Sequence, residues 1–150
     1  MKLPFLTATI AVLTLIASCS KDKYTTKPQL ELNSVNGSEF PNQSLLSFKF
    51  TVTDKEGDIQ DTMWIQKISY SCSDIGNFLA PFQVPSFTTS KNLKVEMDVN
   101  YLYGVTSGPY PPIYGCVQRD DSCYFRFWLK DKAGNVSDTI TSPTIKLLKD

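Results

Sequence analysis

The chain has 150 residues, with 15 Lys and Arg against 15 Asp and Glu, and it contains no histidine. A net charge near zero argues against nucleic acid as a partner and against attachment to an anionic surface by charge alone. Without histidine the commonest general base is missing, and no phosphate loop, nucleophile elbow or metal-binding signature is present, so we expect neither an enzyme nor a cofactor.

Residues 1–18 have the pattern of a cleaved leader. Lys2 precedes the apolar run LPFLTATIAVLTLIA, which is too short and too early for a membrane span. The run ends in Ile16-Ala17-Ser18-Cys19, which resembles the lipobox of bacterial lipoproteins. The resemblance implies cleavage before Cys19 and a lipid on that cysteine, so that a membrane is one expected partner. An ordinary secretory signal that contains a cysteine is the alternative.

Residues 19–28 are predicted to be a flexible tether, because the stretch SKDKYTTKP is polar and ends at a proline. Ser20-Lys21-Asp22 partly resembles the signal that displays Bacteroidetes lipoproteins on the cell surface. The resemblance implies an outer-membrane lipoprotein, with the cell surface favoured over a position that faces the periplasm. A single domain is expected over residues 29–150.

Apolar and polar residues alternate through most of this domain, which is typical of strands that bury one face. The clearest runs are 46–52, 93–99 and 125–129, and weaker ones lie at 29–35, 62–72 and 136–147. Six or seven such strands in one domain predict an all-β antiparallel sandwich.

One pattern occurs twice, as SFKFTVTDKEGDIQDT at 47–62 and as YFRFWLKDKAGNVSDT at 124–139. Each copy begins with a strand that contains Phe-x-Phe. The motif Asp-x-x-Gly follows it, and a second strand comes after that motif. The aspartate caps the turn and the glycine supplies a positive φ, which predicts two β-hairpins with turn glycines Gly57 and Gly134.

The second copy, with Asp-x-Ala-Gly-Asn-x-Ser at 131–137, resembles the penultimate hairpin of bacterial immunoglobulin-like and fibronectin-like modules. The first, with Asp-Lys-Glu-Gly-Asp-Ile at 54–59, resembles a turn of small Bacteroidetes lipoproteins. The resemblance implies an immunoglobulin-like sandwich of about seven strands, and it says almost nothing about activity.

Acidic residues in the first copy raise the possibility of calcium. Asp54, Glu56, Asp58 and Asp61 offer an oxygen at about every second position, but the glycine does not fall where an EF-hand needs it. The second copy keeps the glycine and loses the acids at the positions of Glu56 and Asp58. We therefore expect structural turns and no metal.

Both copies also end in a possible modification site. Asp61-Thr62-Met63 and Asp138-Thr139-Ile140 resemble the O-glycosylation signal of exported Bacteroidetes proteins. The resemblance implies a glycan on at least one of Thr62 and Thr139, although threonine is also a favoured strand residue.

Three more cysteines follow Cys19 in the sequence. The leader implies export to an oxidising compartment, where disulfides form. Cys116 and Cys123 flank the polar stretch VQRDDS, so a bridge between them is favoured. A bridge from Cys72 to either of them is the competing prediction, and one cysteine stays unpaired in each case.

Residues 101–121 form the candidate binding loop, since they are rich in tyrosine, proline and glycine. Long loops are often functional, and tyrosine offers stiff contact area with a hydroxyl. We expect a glycan or protein ligand there, with four contact residues: Tyr101, Tyr103, Tyr110 and Tyr114. One alternative is that the tyrosines only seal the sandwich. Another is a structural accessory of an outer-membrane complex that docks through a sheet face including Trp128.

Overall fold

A computed structural model describes residues 23–72 and 76–149, so the predicted leader and lipidation site at Cys19 lie outside the described residues. The regular structure in these ranges is ten β-strands: β1 (Gln29–Val35), β2 (Glu39–Phe40), β3 (Leu45–Asp54), β4 (Thr62–Ser69), β5 (Phe78–Gln83), β6 (Leu93–Tyr103), β7 (Pro112–Ile113), β8 (Asp121–Lys130), β9 (Ile140–Thr141) and β10 (Ile145–Leu147). Nowhere in this part of the chain is there a helix of the length and apolarity needed to cross a membrane.

The strands form two sheets, which confirms the predicted all-β sandwich. One sheet has the order β1-β3-β6-β7, and the other has the order β2-β10-β8-β4-β5 with β9 also paired to β8. The pairs are antiparallel except for two short parallel pairs, β6 with β7 and β2 with β10. The predicted number of about seven strands is too low. Strands β2, β7 and β9 are two residues long, too short for an alternating pattern to reveal.

The core lies between the two sheets and is built on the Phe-x-Phe pairs of both repeat copies. Phe48 lies 4.9 Å from both Phe125 and Phe127, measured between ring centroids, and Phe50 lies 4.8 Å from Phe127. All four rings are fully buried. The two copies therefore face each other across the sandwich, one from β3 and one from β8.

Only the second copy makes the predicted hairpin. After β8, the Gly134 N–H donates to the Asp131 carbonyl over 3.1 Å, and Val136 pairs back onto Lys130. In the first copy β3 pairs with β1 and β6, whereas β4 pairs with β5 and β8. The hairpin predicted at 54–57 is therefore wrong: this turn carries the chain from one sheet to the other. Alternation identifies a strand but does not identify its partner.

The turn chemistry itself is as predicted in both copies. Gly57 has a φ of +79° and Gly134 has a φ of +92°. The Asp54 carboxylate accepts a 2.6 Å hydrogen bond from the Gly57 N–H, and the Asp131 carboxylate accepts one of 2.7 Å from the Asn135 N–H. Each aspartate thus caps its own turn.

Part of the predicted tether lies against the domain. The Thr25 carbonyl accepts a 3.1 Å hydrogen bond from the Lys55 N–H. The Lys27 ammonium lies 2.6 Å from the Asp138 carboxylate. These contacts hold residues 25–27 beside the two turns, so this stretch is not a free linker.

Candidate functional site

The predicted binding tyrosines divide into two buried and two exposed residues. Tyr101 is only 2% exposed and packs on Phe78, Phe82 and Phe125. Burial raises the pKa of its hydroxyl above the ordinary value of 10.0. The prediction that Tyr101 contacts a ligand is wrong, because this ring is part of the core.

Tyr103 is also buried, and its hydroxyl donates to the Leu148 carbonyl over 2.9 Å. It closes the end of the sandwich, which was the alternative interpretation, and it also lines the cleft beside Tyr114. Tyr110 and Tyr114 remain 40% and 52% exposed. Tyr114 lines a cleft of about 430 Å³ together with Gly104, Val117 and Lys149, among others.

A second surface lies on the outer side of the six-stranded sheet, and we call it the outer aromatic face. It consists of half-buried side chains that alternate with core residues along two paired strands: Trp64, Gln66 and Ile68 on β4, and Tyr124, Arg126 and Trp128 on β8. Trp128 and Arg126 were predicted to take part in such a face, and the structure adds the outward residues of β4 to it. The alternation that placed Phe125 and Phe127 in the core also assigns their neighbours to the outside.

The geometry of this face is regular because its residues oppose one another across the β4–β8 pair. Trp64 and Trp128 are register partners with parallel rings, at 7° between planes and 6.2 Å between centroids. One step along, the Arg126 guanidinium donates to the Gln66 side-chain oxygen over 3.3 Å. The face therefore combines two aromatic surfaces with an adjoining set of hydrogen-bonding groups.

The core contains an ion pair that the sequence analysis missed. Lys67 and Asp121 are both fully buried and form a salt bridge of 2.5 Å. The Lys67 ammonium also donates to the Gly76 carbonyl, and the Ser69 hydroxyl donates to Asp121. Lys67 alternates with the same spacing as Met63 and Ile65, so its side chain lies on the buried face of β4. This alternation in the sequence could have predicted its burial.

The disulfide joins Cys72 to Cys116, so the favoured bridge between Cys116 and Cys123 is wrong and the competing use of Cys72 is correct. Cys123 is a free, buried thiol on β8. Burial raises the pKa of this thiol to about 12; nearby Lys67 opposes the rise and Asp121 adds to it. The bridge closes a span of 44 residues, which corresponds to about 4 kcal/mol on the chain-entropy estimate.

Three carboxylates from the two repeat copies meet at one corner of the sandwich. Asp54 and Asp58 come from the crossover after β3, and Asp131 comes from the hairpin after β8; one oxygen from each lies within 4.8 Å of the others. Asp61, also in the predicted acidic run, lies apart from this group and faces Lys130 at 3.9 Å. Burial raises the pKa of Asp54, and the negative charges of Asp58 and Glu56 raise it further. Hydrogen bonds from two main-chain N–H groups act in the opposite direction and lower this pKa.

The two predicted glycosylation sites differ in their surroundings. Thr62 is half-buried at the start of β4, between β5 and β8, and its hydroxyl donates to Asp61 over 2.7 Å. Thr139 is exposed in the segment before β9. The two positions are therefore not structurally equivalent, although they are equivalent in the repeat.

No protein family model matches the chain, and no curated protein matches it. Among solved structures, a similar one is the crystal structure of Spo0M, a sporulation control protein from Bacillus subtilis. The two chains share 8% identity with a TM-score of 0.48, over 83% of this chain and 50% of that one. The chain thus spans half the length of Spo0M, and a likeness this distant carries no argument about function.

Proposed function

We propose that the chain is a non-catalytic, lipid-anchored binding protein of the cell envelope, which holds a protein or glycan ligand on the outer aromatic face. The observation that carries this proposal is the parallel pair Trp64–Trp128 with Arg126 and Gln66 beside it. Tryptophan, tyrosine and arginine are the side chains that most often dominate binding free energy at protein interfaces. Parallel aromatic rings also suit the apolar faces of sugar rings.

The position of this face in the sheet favours binding. Strands β4 and β8 are paired on both sides, so their backbones are held by hydrogen bonds along their length. Their outward side chains are fixed at register positions rather than carried on a loop. A surface that is ordered before it meets its ligand loses less conformational entropy on binding.

The envelope location rests on the leader. The lipobox resemblance at Cys19 and the partial surface signal after it support an outer-membrane lipoprotein, with the cell surface favoured over the periplasmic side. A structural accessory of an outer-membrane complex would use the same face, with a membrane protein as its fixed partner.

A second candidate site is the cleft beside Tyr114, which is of a size for a sugar unit. Tyr114 offers an exposed ring, and Lys149 and Asn42 line the same cleft. Of the four tyrosines predicted to contact a ligand, Tyr103 and Tyr114 line this cleft.

The experiment compares three double variants of the full chain in two assays. Each variant is purified in detergent and tested on glycan arrays, and each is also cross-linked in native membranes to capture protein partners. Trp64→Ala/Trp128→Ala removes the rings of the outer aromatic face, and Tyr110→Ala/Tyr114→Ala removes the exposed loop tyrosines. Lys94→Ala/Glu96→Ala is the matched control, since both residues are exposed on β6 of the other sheet. The melting temperature of each variant is measured to exclude unfolding.

We expect the tryptophan variant to lose the ligand at an unchanged fold, while the control retains it. Loss only in the tyrosine variant would move the site to the cleft. A partner that co-purifies at fixed stoichiometry and depends on Trp128 would identify the structural accessory. Absence of any ligand or partner in both assays would overturn the proposal. Protease treatment of intact cells, with a periplasmic control protein, tests the surface location.

A further inference from the structure

We propose that Asp54, Asp58 and Asp131 form a binding site for one Ca²⁺ ion at the corner where the two Asp-x-x-Gly turns meet. The site would not depend on the ligand proposed for the outer aromatic face. It gives the repeated motif a shared role that neither copy contains on its own.

The spacing of the carboxylates suits a single ion. Calcium binds oxygen ligands at about 2.3–2.6 Å, so two ligands on opposite sides of the ion lie up to about 5 Å apart. One oxygen from each of the three carboxylates lies within 4.8 Å of the other two. The same three oxygens would therefore fit in one coordination shell without a change of backbone.

Two buried oxygens in this group lack a partner. Oδ1 of Asp54 and Oδ1 of Asp58 are both shielded from solvent and accept no hydrogen bond from the described residues. Asp54 as a whole is fully buried. Buried carboxylate oxygens are costly unless a donor or a cation satisfies them, so these two atoms indicate a missing positive partner.

Within the described ranges, no lysine or arginine forms a salt bridge with any of the three carboxylates. Lys132, the residue after Asp131, directs its ammonium to the Gln60 side-chain oxygen at 2.8 Å instead. The protein thus brings three acids together without a cation of its own. A bound metal ion would supply the charge that the side chains do not.

Calcium fits the site better than magnesium. Magnesium binds at about 2.0–2.1 Å with near-ideal octahedral geometry and keeps several waters, whereas calcium accepts irregular sets of carboxylates. Asp54 and Asp131 are further restrained because both already cap their turns. Carboxylates that are held in this way adjust poorly to an ideal octahedron, which favours calcium.

The ion would tie together three parts of the chain that meet at this corner. Asp54 and Asp58 lie in the sheet-to-sheet crossover, and Asp131 lies in the β8 hairpin. The N-terminal segment reaches the same crossover through the hydrogen bond from the Lys55 N–H to the Thr25 carbonyl. The expected role of calcium is to hold the end of the domain from which the N-terminal segment leaves.

The test is calorimetric titration of the full chain, purified in detergent and freed of metal with EDTA, with CaCl₂. Melting temperatures are measured in parallel in calcium, in magnesium and in NaCl of equal ionic strength. We expect one site with a Kd between about 10 µM and 1 mM. In excess calcium the melting temperature should rise by about 5–10 °C through binding to the folded state alone.

Asp58→Asn is the informative variant, because Oδ1 of Asp58 accepts no hydrogen bond and the turn is held by the main-chain groups of this residue. Asp131→Asn is a second one, since asparagine can also cap its turn. Asp61→Asn is the matched control, an acid of the same stretch that lies outside the group. The first two should lose the calcium shift and the third should keep it. In EDTA, Asp58→Asn should melt no lower than the unaltered chain, since it relieves repulsion.

Absence of binding heat together with an unchanged melting temperature in calcium would overturn the proposal. A calcium shift that survives in both Asp58→Asn and Asp131→Asn, or one that NaCl reproduces, would overturn it as well.

Discussion

The main-chain N–H of Lys132 donates to the main-chain carbonyl of Asp58 over 3.0 Å, and this bond joins the two Asp-x-x-Gly turns. It is possible because β3 and β8 face each other across the core and run toward the same end of the sandwich. The sequence repeat therefore describes two strands that interlock through their phenylalanines and end in turns that touch. The copies belong to different sheets, so the repeat does not reflect a duplicated hairpin.

The two turn glycines provide a matched pair for mutation. A Cβ added at Gly57 would overlap the Ser90 carbonyl oxygen, whereas one at Gly134 has nothing within 4 Å. Gly134→Ala should cost about 1–2 kcal/mol of unfolding free energy, from its positive φ alone. Gly57→Ala should cost at least about 1 kcal/mol more, because the main chain must also move. Urea denaturation measures both, and equal losses would contradict the assigned packing.

The buried pair Lys67–Asp121 should be strongly coupled. Lys67→Met leaves a buried carboxylate without its cation and should destabilise the fold by about 3–5 kcal/mol. Adding Asp121→Leu removes that charge, so the double variant should lose less than the sum of the single variants. The surface pair is the control: Lys27→Ala should change stability by less than about 1 kcal/mol, since Lys27 and Asp138 are largely exposed. Additive single losses would exclude the coupling.

The cysteine assignment can be checked by alkylation and peptide mapping. Cys123 is buried with a pKa of about 12, so iodoacetamide should not modify it in the folded protein at pH 8. The same reagent should modify it fully in guanidinium chloride without reductant. The unreduced digest should contain a peptide that links Cys72 to Cys116. A peptide that links Cys116 to Cys123 would contradict the structure.

The same thiol should make stability fall at alkaline pH. Its folded pKa of about 12 lies above the ordinary value of 9.0, so the unfolded chain releases the proton first as the pH rises. The stability that the protonated thiol contributes is present below pH 9 and is lost progressively between pH 9 and pH 12, with about 1.4 kcal/mol lost by pH 10. Because lysines and tyrosines titrate there too, the measurement is the difference between the unaltered chain and Cys123→Ala. Parallel pH profiles for the two proteins would disprove the effect.

Alternation in the sequence was sufficient to place most of the core, because each long strand buries one face. The same alternation also continues through residues that were assigned to a loop. Tyr101 and Tyr103 lie on the same face of β6 as Leu93, which is the face that packs against the core. Cys123 lies on the same buried face of β8 as Phe125 and Phe127. The sequence thus contained grounds for assigning these tyrosines to the core and this cysteine to a buried position rather than to a loop disulfide.

Other features depend on three-dimensional contacts that spacing along the chain does not reveal. The acidic corner takes two carboxylates from one copy and one from the other, so neither copy resembles a metal-binding loop. Cys72 meets Cys116 only because the loops at one end of the sheet converge. Which sheet a strand joins decides both outcomes, and alternation does not specify the sheet.

If a glycan is added to the folded domain, it should be found on Thr139 and not on Thr62. Thr139 is exposed outside the paired strands, whereas Thr62 is half-buried between two neighbours and its hydroxyl is already bonded to Asp61. A transferase needs the hydroxyl and its flanking backbone to be accessible, and only the segment around Thr139 offers both. Mass spectrometry of both tryptic peptides from the native host gives the occupancy, with Thr139→Val expected to abolish the added mass and Thr62→Val expected to retain it. A glycan on Thr62 would show that transfer precedes folding, and unmodified mass at both positions would refute the modification altogether.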